Sequence, residues 1–405
     1  MLKFLKNLFS SKVNYEPHPE AVVISCFFNP QNSPYRLKAF NHFYESIQDV
    51  NHCIIECVIG NAKPQLPESP NIKRVYTENL LWHKEALLNK IISEYLPPKY
   101  KYIFWLDADI LFTNPNWIVD GVRELETHNI IQPFEYCIHL EKDETKPSFD
   151  VEMFRKKVFD EKYSNRRIWR SFSANFKTAT LTHSQNENYN IHGHVGFAWG
   201  IRRDIIQKIP LYDRALIGGA DHIIAHAAAG QIPHSCITKS FTDNLEEVLS
   251  WSKKFYKAVQ GKISFVEGDV YHIWHGDINK RQYLKRIQDF TEKTKQIVEK
   301  DENGLYVTRS GDDIYMKKYF KHREVSGDNA YLTSMGLGYM DTSNSDSSFE
   351  EAVIADAVLN DWNESNQTPS DFGGGESGGA GVGGTWENSA DNTASSQEVM
   401  SDNFS

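Results

Sequence analysis

Tyr102-Ile103-Phe104-Trp105-Leu106-Asp107-Ala108-Asp109-Ile110-Leu111-Phe112 is the stretch that decides the fold. Its first five residues are apolar or aromatic without a break, as in a strand buried on both faces of a parallel sheet. Asp107 and Asp109 fall where such a strand leaves the sheet, at the carboxyl-end crevice in which α/β sheets bind ligands. Side chains two apart share a face in extended chain, so the two acids are expected to project together. No Lys or Arg lies within four residues of either. Carboxylates so placed repel each other unless a cation holds them, and a hard divalent metal bridging to a diphosphate would do so. A turn carrying two solvated aspartates is the plain alternative.

The residues before this stretch supply the rest of a sheet. Ala21-Val22-Val23-Ile24-Ser25-Cys26-Phe27-Phe28 reads as a first buried strand, followed by the loop at Asn29-Pro30 and a helical stretch from about Tyr35 to Ile47. Cys53 to Ile59 and Ile72 to Tyr76 read as the second and third strands. Trp82 to Leu96 has helical spacing and stops at Pro97-Pro98, which cannot continue a helix. Strand, helix, strand, strand, helix, strand and then acids is the order of a nucleotide-binding half of a doubly wound α/β fold.

Beyond it, residues from about Phe134 to Asn190 are polar and irregular. Gly193 to Gly200 is a glycine-punctuated strand leading into a helix at Arg202 to Ile206, and Gly218-Gly219-Ala220-Asp221-His222 opens an alanine-rich helix to about Ala229. Val270-Tyr271-His272-Ile273-Trp274-His275-Gly276 precedes a basic helix expected over Lys280 to Lys300.

Charge divides the chain. Of its 54 acids, 15 lie between Glu324 and Ser405, a stretch with no Lys or Arg, so the first 323 residues hold 39 acids against 44 bases. A mildly basic body suits a phosphate-bearing ligand and is too weakly charged to argue for nucleic acid. Three parts are expected: residues 1–20 as a basic amphipathic segment, 21–325 as the α/β domain, and 326–405 as a disordered acidic tail rich in Gly, Ser and Asn. Within the first part, Leu2, Phe4, Leu5, Leu8 and Phe9 among Lys3, Lys6 and Lys12 could lie on an anionic membrane as a peripheral contact, or pack on the body. No stretch approaches the roughly 18–20 apolar residues of a membrane span, and none reads as a secretory signal. Five scattered cysteines without Cys-x-x-Cys spacing argue for reduced thiols, hence a cytoplasmic location, and against a thiolate zinc site.

Four separated pieces have compatible chemistry. Asp107 and Asp109 offer oxygens to a metal. His272 and His275 can meet one ion if the backbone turns, which Gly276 permits, and imidazole suits a borderline metal such as Mn²⁺; ordinary packing is the other reading. Asp221, after two glycines, is either a helix N-cap or a group facing a bound sugar. Lys84 could reach a phosphate or be solvated. Asn29 and Arg36, after the first strand, are added as donor-binding candidates.

Together these pieces resemble metal-dependent glycosyltransferases of the GT-A fold, a Rossmann-like nucleotide-binding sheet flanked by helices, and in particular the β-1,4-galactosyltransferase family. The resemblance runs in patches from about Ala21 to Arg286. Trp82-His83-Lys84-Glu85-Ala86-Leu87-Leu88-Asn89 is similar to the family's aromatic-x-basic-x-Ala-x-Leu-Leu-Asn segment, whose basic residue lies by the nucleotide. Trp105-Leu106-Asp107-Ala108-Asp109-Ile110 resembles its Asp-x-Asp stretch, whose second Asp ligates Mn²⁺. Gly218-Gly219-Ala220-Asp221 is similar to its Gly-Gly-Glu-Asp segment, whose Asp is the base, and His272-Ile273-Trp274-His275 to the motif that completes the metal site. Ala220 stands where the family has a Glu and Ile217 where it has a Trp, both on the acceptor side.

The resemblance implies a Mn²⁺- or Mg²⁺-dependent, inverting transfer of a hexose, of galactose or N-acetylhexosamine type. The sugar would pass from a UDP-sugar donor to a hydroxyl of a glycan or other acceptor. Asp109, His272 and His275 would hold the metal, Asp107 and Lys84 the donor, and Asp221 would act as base. Two rivals stand beside it. A sugar nucleotidyltransferase opens with a Gly-rich basic loop after the first strand, where this chain has Phe27-Phe28-Asn29-Pro30. A non-enzymatic reading treats the body as a sugar-binding module and the acidic Gly-rich tail as the interacting part.

Overall fold

Ile103 and Trp105 pack into the core on one side of the central sheet, and Phe104 and Leu106 into the core on the other, all at 2 % exposure or less. Burial on both sides leaves no position for a polar residue, and this is why the strand reads as an unbroken apolar run. The computed structural model describes residues 14–156, 167–177, 193–232, 234, 237, 244–276, 297–308 and 316. The amphipathic segment at 1–12, the tail expected from 326 and most of the basic helix expected from Lys280 lie outside the described residues.

The chain runs β1 (Ala21–Phe27), α1 (Pro34–Ser46), β2 (His52–Ile59), β3 (Ile72–Thr77), α2 (Lys84–Lys90), β4 (Tyr102–Leu106), β5 (Ile110–Phe112), α3 (Trp117–Thr127), β6 (Ile130–Gln132) and β7 (Tyr136–His139). It continues with α4 (Val151–Arg155), β8 (Ile168–Arg170), α5 (Phe172–Lys177), β9 (Ala198–Arg202), α6 (Arg203–Ile206), α7 (Ala220–Ala229) and α8 (Leu245–Val259). Last come β10 (Ile263–Phe265), β11 (Asp269–His272), β12 (Ile297–Lys300) and β13 (Tyr306–Thr308).

Seven strands form one sheet in the order β10-β6-β9-β4-β1-β2-β3. It is parallel except at β9, which runs antiparallel to both β4 and β6. Helix α2 covers one face, setting Leu87 and Leu88 against Val22, Ile24 and Trp105. Helices α1 and α3 cover the other, with Phe40, Phe43 and Trp117 against Val23 and Phe104. This is the mixed α/β architecture expected, a mostly parallel sheet with helices on both faces.

Two glycines make the fit around Phe104 possible. A Cβ on Gly121 of α3 or on Gly200 of β9 would stand 2.8 or 2.6 Å from Phe104 Cε1. Any side chain added at either position would collide with the buried ring.

A second sheet, β5-β11-β7-β8, sits at the carboxyl end of β4. Its pairing of β11 with β5 puts His272 opposite Ile110, one residue after Asp109. That register brings two distant candidate residues to one place.

Three expectations are corrected. The helix read over Trp82 to Leu96 is α2 followed by a wider π-helical turn, Ile91–Tyr95, and Leu96 before Pro97 is extended, as the pre-proline position favours. The end of the expected basic helix, Ile297–Lys300, is a strand paired antiparallel with β13. Its hairpin is closed by Asp301 Oδ1, which accepts from the amides of Asn303 and Leu305 at 2.9 Å, with Gly304 at φ +77°. Finally, Asp107 to Asp109 is not extended chain: β4 ends at Leu106, Ala108 and Asp109 form a turn, and β5 begins at Ile110.

Candidate active site

That turn sends the two acids to different partners. Asp107 is anchored by its amide, which donates to Phe197 O at 2.7 Å, and its Oδ1 lies 2.7 Å from Lys84 Nζ. Asp109 is anchored by its carbonyl, which accepts from the amide of Ile273 at 2.8 Å, and its carboxylate faces the histidines. Its Oδ2 is 3.0 Å from His275 Nε2 and 3.9 Å from His272 Nε2. The repulsion expected between the aspartates is thus relieved for Asp107 by a lysine from another element.

Asp109, His272 and His275 each offer one ligand atom, and the three lie within 4.8 Å of one another. Both imidazoles are buried, and the Asp109 side chain is 13 % exposed. Asp109 Oδ1 is buried and has no hydrogen-bond partner among the described residues. A buried carboxylate oxygen without a donor is costly unless something positive completes it. Burial alone would raise the Asp109 carboxyl, but the neighbouring His272 and His275 outweigh it and hold it well below the usual carboxylate range. One carboxylate and two imidazoles suit a divalent ion of the Mn²⁺ kind, so the donor set fits the expected metal.

The turn expected at Gly276 is present, with φ +136°. Trp274, between the two histidines, packs edge-on against Tyr35 of α1 at 5.0 Å, and the Lys142 amine lies 5.3 Å from the Tyr35 ring.

Lys84 bridges the two halves of the site. Besides Asp107, its Nζ reaches Asp221 Oδ1 at 3.3 Å and Oδ2 at 3.4 Å. Burial opposes its charge, but Asp107 and Asp221 more than compensate and raise its pKa well above the usual lysine value. The Asp107 carboxyl is pushed up to about 6, chiefly by burial, with Lys84 opposing and Asp221 and Asp109 adding to the rise.

Asp221 is not the N-cap of its helix. Gly219 holds that position, at φ +92° after Gly218 at +90°, which leaves Asp221 in the first turn with its carboxylate aimed at Lys84 and 23 % exposed. A Cβ on Gly196 would come 3.7 Å from Asp221 Oδ2, so the missing side chain leaves a close approach to that carboxylate.

The remaining candidates differ in what they do. Arg36 lies over the Phe28 ring at 5.5 Å, its buried Nε has no partner among the described residues, and its charge contributes to the lowering at Asp109. Asn29 is spent on the loop after β1 and on the β2–β3 connection: Nδ2 donates to Ser33 O and Gln65 Oε1 at 2.9 Å, and Oδ1 accepts from the Ser33 amide at 3.0 Å. It shapes the turn after β1, and a shallow hollow opens beside it between Phe27, Glu56, Cys57 and Lys63.

Several neighbours were not anticipated from the sequence. Phe197 has φ +76°, unusual for a bulky residue, and its ring lies 4.2 Å from and parallel to that of His194 and 5.2 Å from that of His272. His139 pairs in register with His272, ring to ring at 4.6 Å. Glu85, beside Lys84, is buried, its Oε2 has no partner among the described residues, and burial pushes its carboxyl up to about 8. The sequence offered one signal for Glu85, an acid inside an apolar helical face.

No protein-family model and no curated protein sequence matches the chain. Among solved structures, the chain is similar to the catalytic domain of Drosophila β1,4-galactosyltransferase 7 in complex with xylobiose, at 12 % identity and a TM-score of 0.25. That match covers 52 % of this chain and 61 % of that domain. It is also similar to 4-diphosphocytidyl-2C-methyl-D-erythritol synthase from Anaerococcus prevotii, at 10 % identity and a TM-score of 0.28, over 76 % of this chain and 97 % of that one. The chain thus spans about 61 % of the length of the galactosyltransferase domain. The reading of the site rests on its own geometry.

Proposed function

We propose that the protein is a metal-dependent glycosyltransferase that moves a hexose from a UDP-sugar to an acceptor hydroxyl with inversion. The observation that carries this reading is the convergence of Asp109, His272 and His275, with Asp109 Oδ1 buried and without a hydrogen-bond partner among the described residues, beside a Lys84-bridged pair of carboxylates.

Asp109, His272 and His275 would hold a divalent ion, which supplies positive charge against the negative charge that grows on the departing UDP. Lys84 carries a fixed positive charge toward the same phosphates, and Asp107 orients it. Asp221 takes the proton of the acceptor hydroxyl onto its carboxylate as that oxygen attacks the anomeric carbon. The bond from that carbon to the phosphate oxygen breaks, and its electron pair leaves with UDP. A positioned base of this kind contributes about 10²–10⁴-fold. Gly196, lacking a side chain near Asp221 Oδ2, leaves room for the acceptor to approach.

The test is a panel of nucleotide sugars with Mn²⁺. Release of UDP from one of them, abolished by chelator, supports the proposal. Given a nucleoside triphosphate and a sugar 1-phosphate instead, formation of a nucleotide sugar with release of pyrophosphate would indicate a nucleotidyltransferase, and binding of the nucleotide sugars without turnover a sugar-binding module; either overturns it.

A further inference from the structure

We propose that Asn89 is a positioning residue: its side-chain amide, locked to the backbone of Leu211, holds the chain segment that carries Asp221 against the helix that carries Lys84. The inference rests on the transferase reading for its catalytic consequence, but its geometry stands apart from it.

Asn89 lies near the end of α2. Its Nδ2 donates to Leu211 O at 2.9 Å, and the Leu211 amide donates back to Asn89 Oδ1 at 2.9 Å. An amide side chain has a donor and an acceptor side by side, so it can pair with both polar groups of one residue as a neighbouring strand would. Just before α2, the Trp82 amide donates to Leu216 O at 2.8 Å. These two ties flank Lys84 along the chain, and they fasten α2 to both ends of the segment 211–216.

Leu211 and Leu216 share a core with Leu87 and Leu88 of α2, while the other polar contacts of this segment lead elsewhere. The Pro210 carbonyl accepts from Trp251 Nε1 at 2.8 Å, and the Tyr212 hydroxyl accepts from Asn244 Nδ2 at 2.9 Å. Arg214 pairs with Glu247, also at α8. Asp213 takes a hydrogen bond from the Tyr306 hydroxyl at 3.0 Å and an ion pair from Lys300 at 2.5 Å, both in the β12–β13 hairpin. Those contacts fix the segment to α8 and the hairpin. Asn89 supplies the side-chain hydrogen bonds from this segment to the lysine helix among the described residues.

The residues just beyond the segment make that tie matter. Gly218 and Gly219 both have positive φ and no side chain to steer them, and Asp221 comes two residues later. The Gly218 amide donates to Ala215 O at 2.8 Å, so the turn into α7 is hydrogen-bonded to the segment that Asn89 holds, and a shift of that segment carries into the turn ahead of Asp221. Displacement of a reacting group by about 1 Å can cost about 10²-fold in rate.

The experiment uses the full chain with Asn89→Leu, which removes both hydrogen bonds at similar volume, and Asn89→Gln, which keeps the amide one methylene further out. In Asn89→Leu, kcat is expected to fall about 10²-fold while donor KM and Mn²⁺–UDP affinity stay within about twofold. Backbone amides of 211–221 should exchange about tenfold faster, with 102–112 and 269–275 unchanged, and Gln should recover part of both losses. A purely structural contact would not split kcat from KM. An unchanged kcat with a turning-over parent overturns the proposal, as does a rate loss matched by equal loss of nucleotide affinity and faster exchange across 102–112. Should the parent turn over no UDP-sugar, the transferase reading fails instead, and exchange alone decides the clamp: loosening confined to 211–221 supports it, and none overturns it.

Discussion

The ammonium of Lys84 lies 3.3 Å from Asp221 Oδ1, joining residues 137 apart in sequence. The group assigned to phosphate is therefore the counter-ion of the group assigned to proton removal. In the transferase reading, the donor diphosphate would compete with Asp221 for that one ammonium. Donor binding and the position of the proposed base would thus be linked through one side chain. Lys84→Ala should weaken Mn²⁺–UDP binding about 10- to 100-fold, the range for a lost hydrogen bond to a charged group of about 1.5–3 kcal/mol. It should also leave Asp107 and Asp221 facing each other without a counter-ion and lower the melting temperature. Calorimetric titration with UDP and a thermal melt check the two effects, and unchanged affinity removes Lys84 from the donor site.

Asp221→Asn keeps the shape of the first turn of α7 and removes the proton acceptor. Transfer should fall by about 10²–10⁴-fold, with Mn²⁺–UDP affinity nearly intact. Release of Lys84 from one of its two carboxylates could even tighten nucleotide binding slightly. Parental turnover in this variant would assign the base elsewhere.

The metal prediction stems from the orphaned oxygen of Asp109. Adding Mn²⁺ at about 100 times its dissociation constant should stabilise the protein by about 2.7 kcal/mol, and chelator should reverse the gain. His275→Ala should lose most of that gain together with nucleotide affinity, because one ligand of three is gone. A melting temperature that ignores Mn²⁺ in the parent protein would mean that Asp109 and the two histidines are a hydrogen-bonded cluster and nothing more.

Packing around Phe104 offers a test independent of function. Gly200→Ala places a methyl 2.6 Å from the ring of Phe104, itself wedged between β9 and α3. Overpacking of this sort typically costs about 1–3 kcal/mol. A denaturant titration should show the midpoint falling at constant slope, and no loss would mean that the ring has room to shift.

Much of the fold was legible because burial on both faces writes itself into the chain. Val22 to Ile24 and Ile103 to Leu106 alternate between two cores, so neither face could be polar and the strands stood out. The order of elements through β4 could be read from the breaks between these runs. Direction could not: β9 fills an antiparallel slot between β4 and β6, and periodicity carries no sign for strand direction. The second sheet was invisible for another reason. Its strands are three or four residues long, too short for a pattern, yet their register is what sets His272 beside Asp109. The candidate residues were singled out by residue type and spacing and joined by the resemblance, while their grouping into an Asp109 cluster and a Lys84 cluster came from the turn at Ala108, which spacing alone read as extended chain.

Glu85 supplies the last prediction, a pH dependence whose sign can be worked out. Burial is the main cause that lifts its carboxyl from an ordinary 4.5 to about 8, with Lys84 pulling the other way and Asp221 and Asp107 adding to the rise. Between those two values the folded protein holds a proton that the unfolded chain has released. Stability from this group is therefore fully present below about pH 4.5 and declines as pH rises through 8, at most by about 1.4 kcal/mol per pH unit for one proton. Asp107, pushed up to about 6, contributes a similar decline at lower pH, so the window that isolates Glu85 is roughly 6 to 8. Glu85→Gln mimics the protonated acid at every pH. Its stability, monitored by urea unfolding, should stay flatter than the parent's across that window, and the variant should be the more stable of the two above pH 8. Parallel curves for the two proteins from pH 6 to 8 would show that Glu85 is already ionised in the folded state, with Lys84 rather than a proton neutralising it.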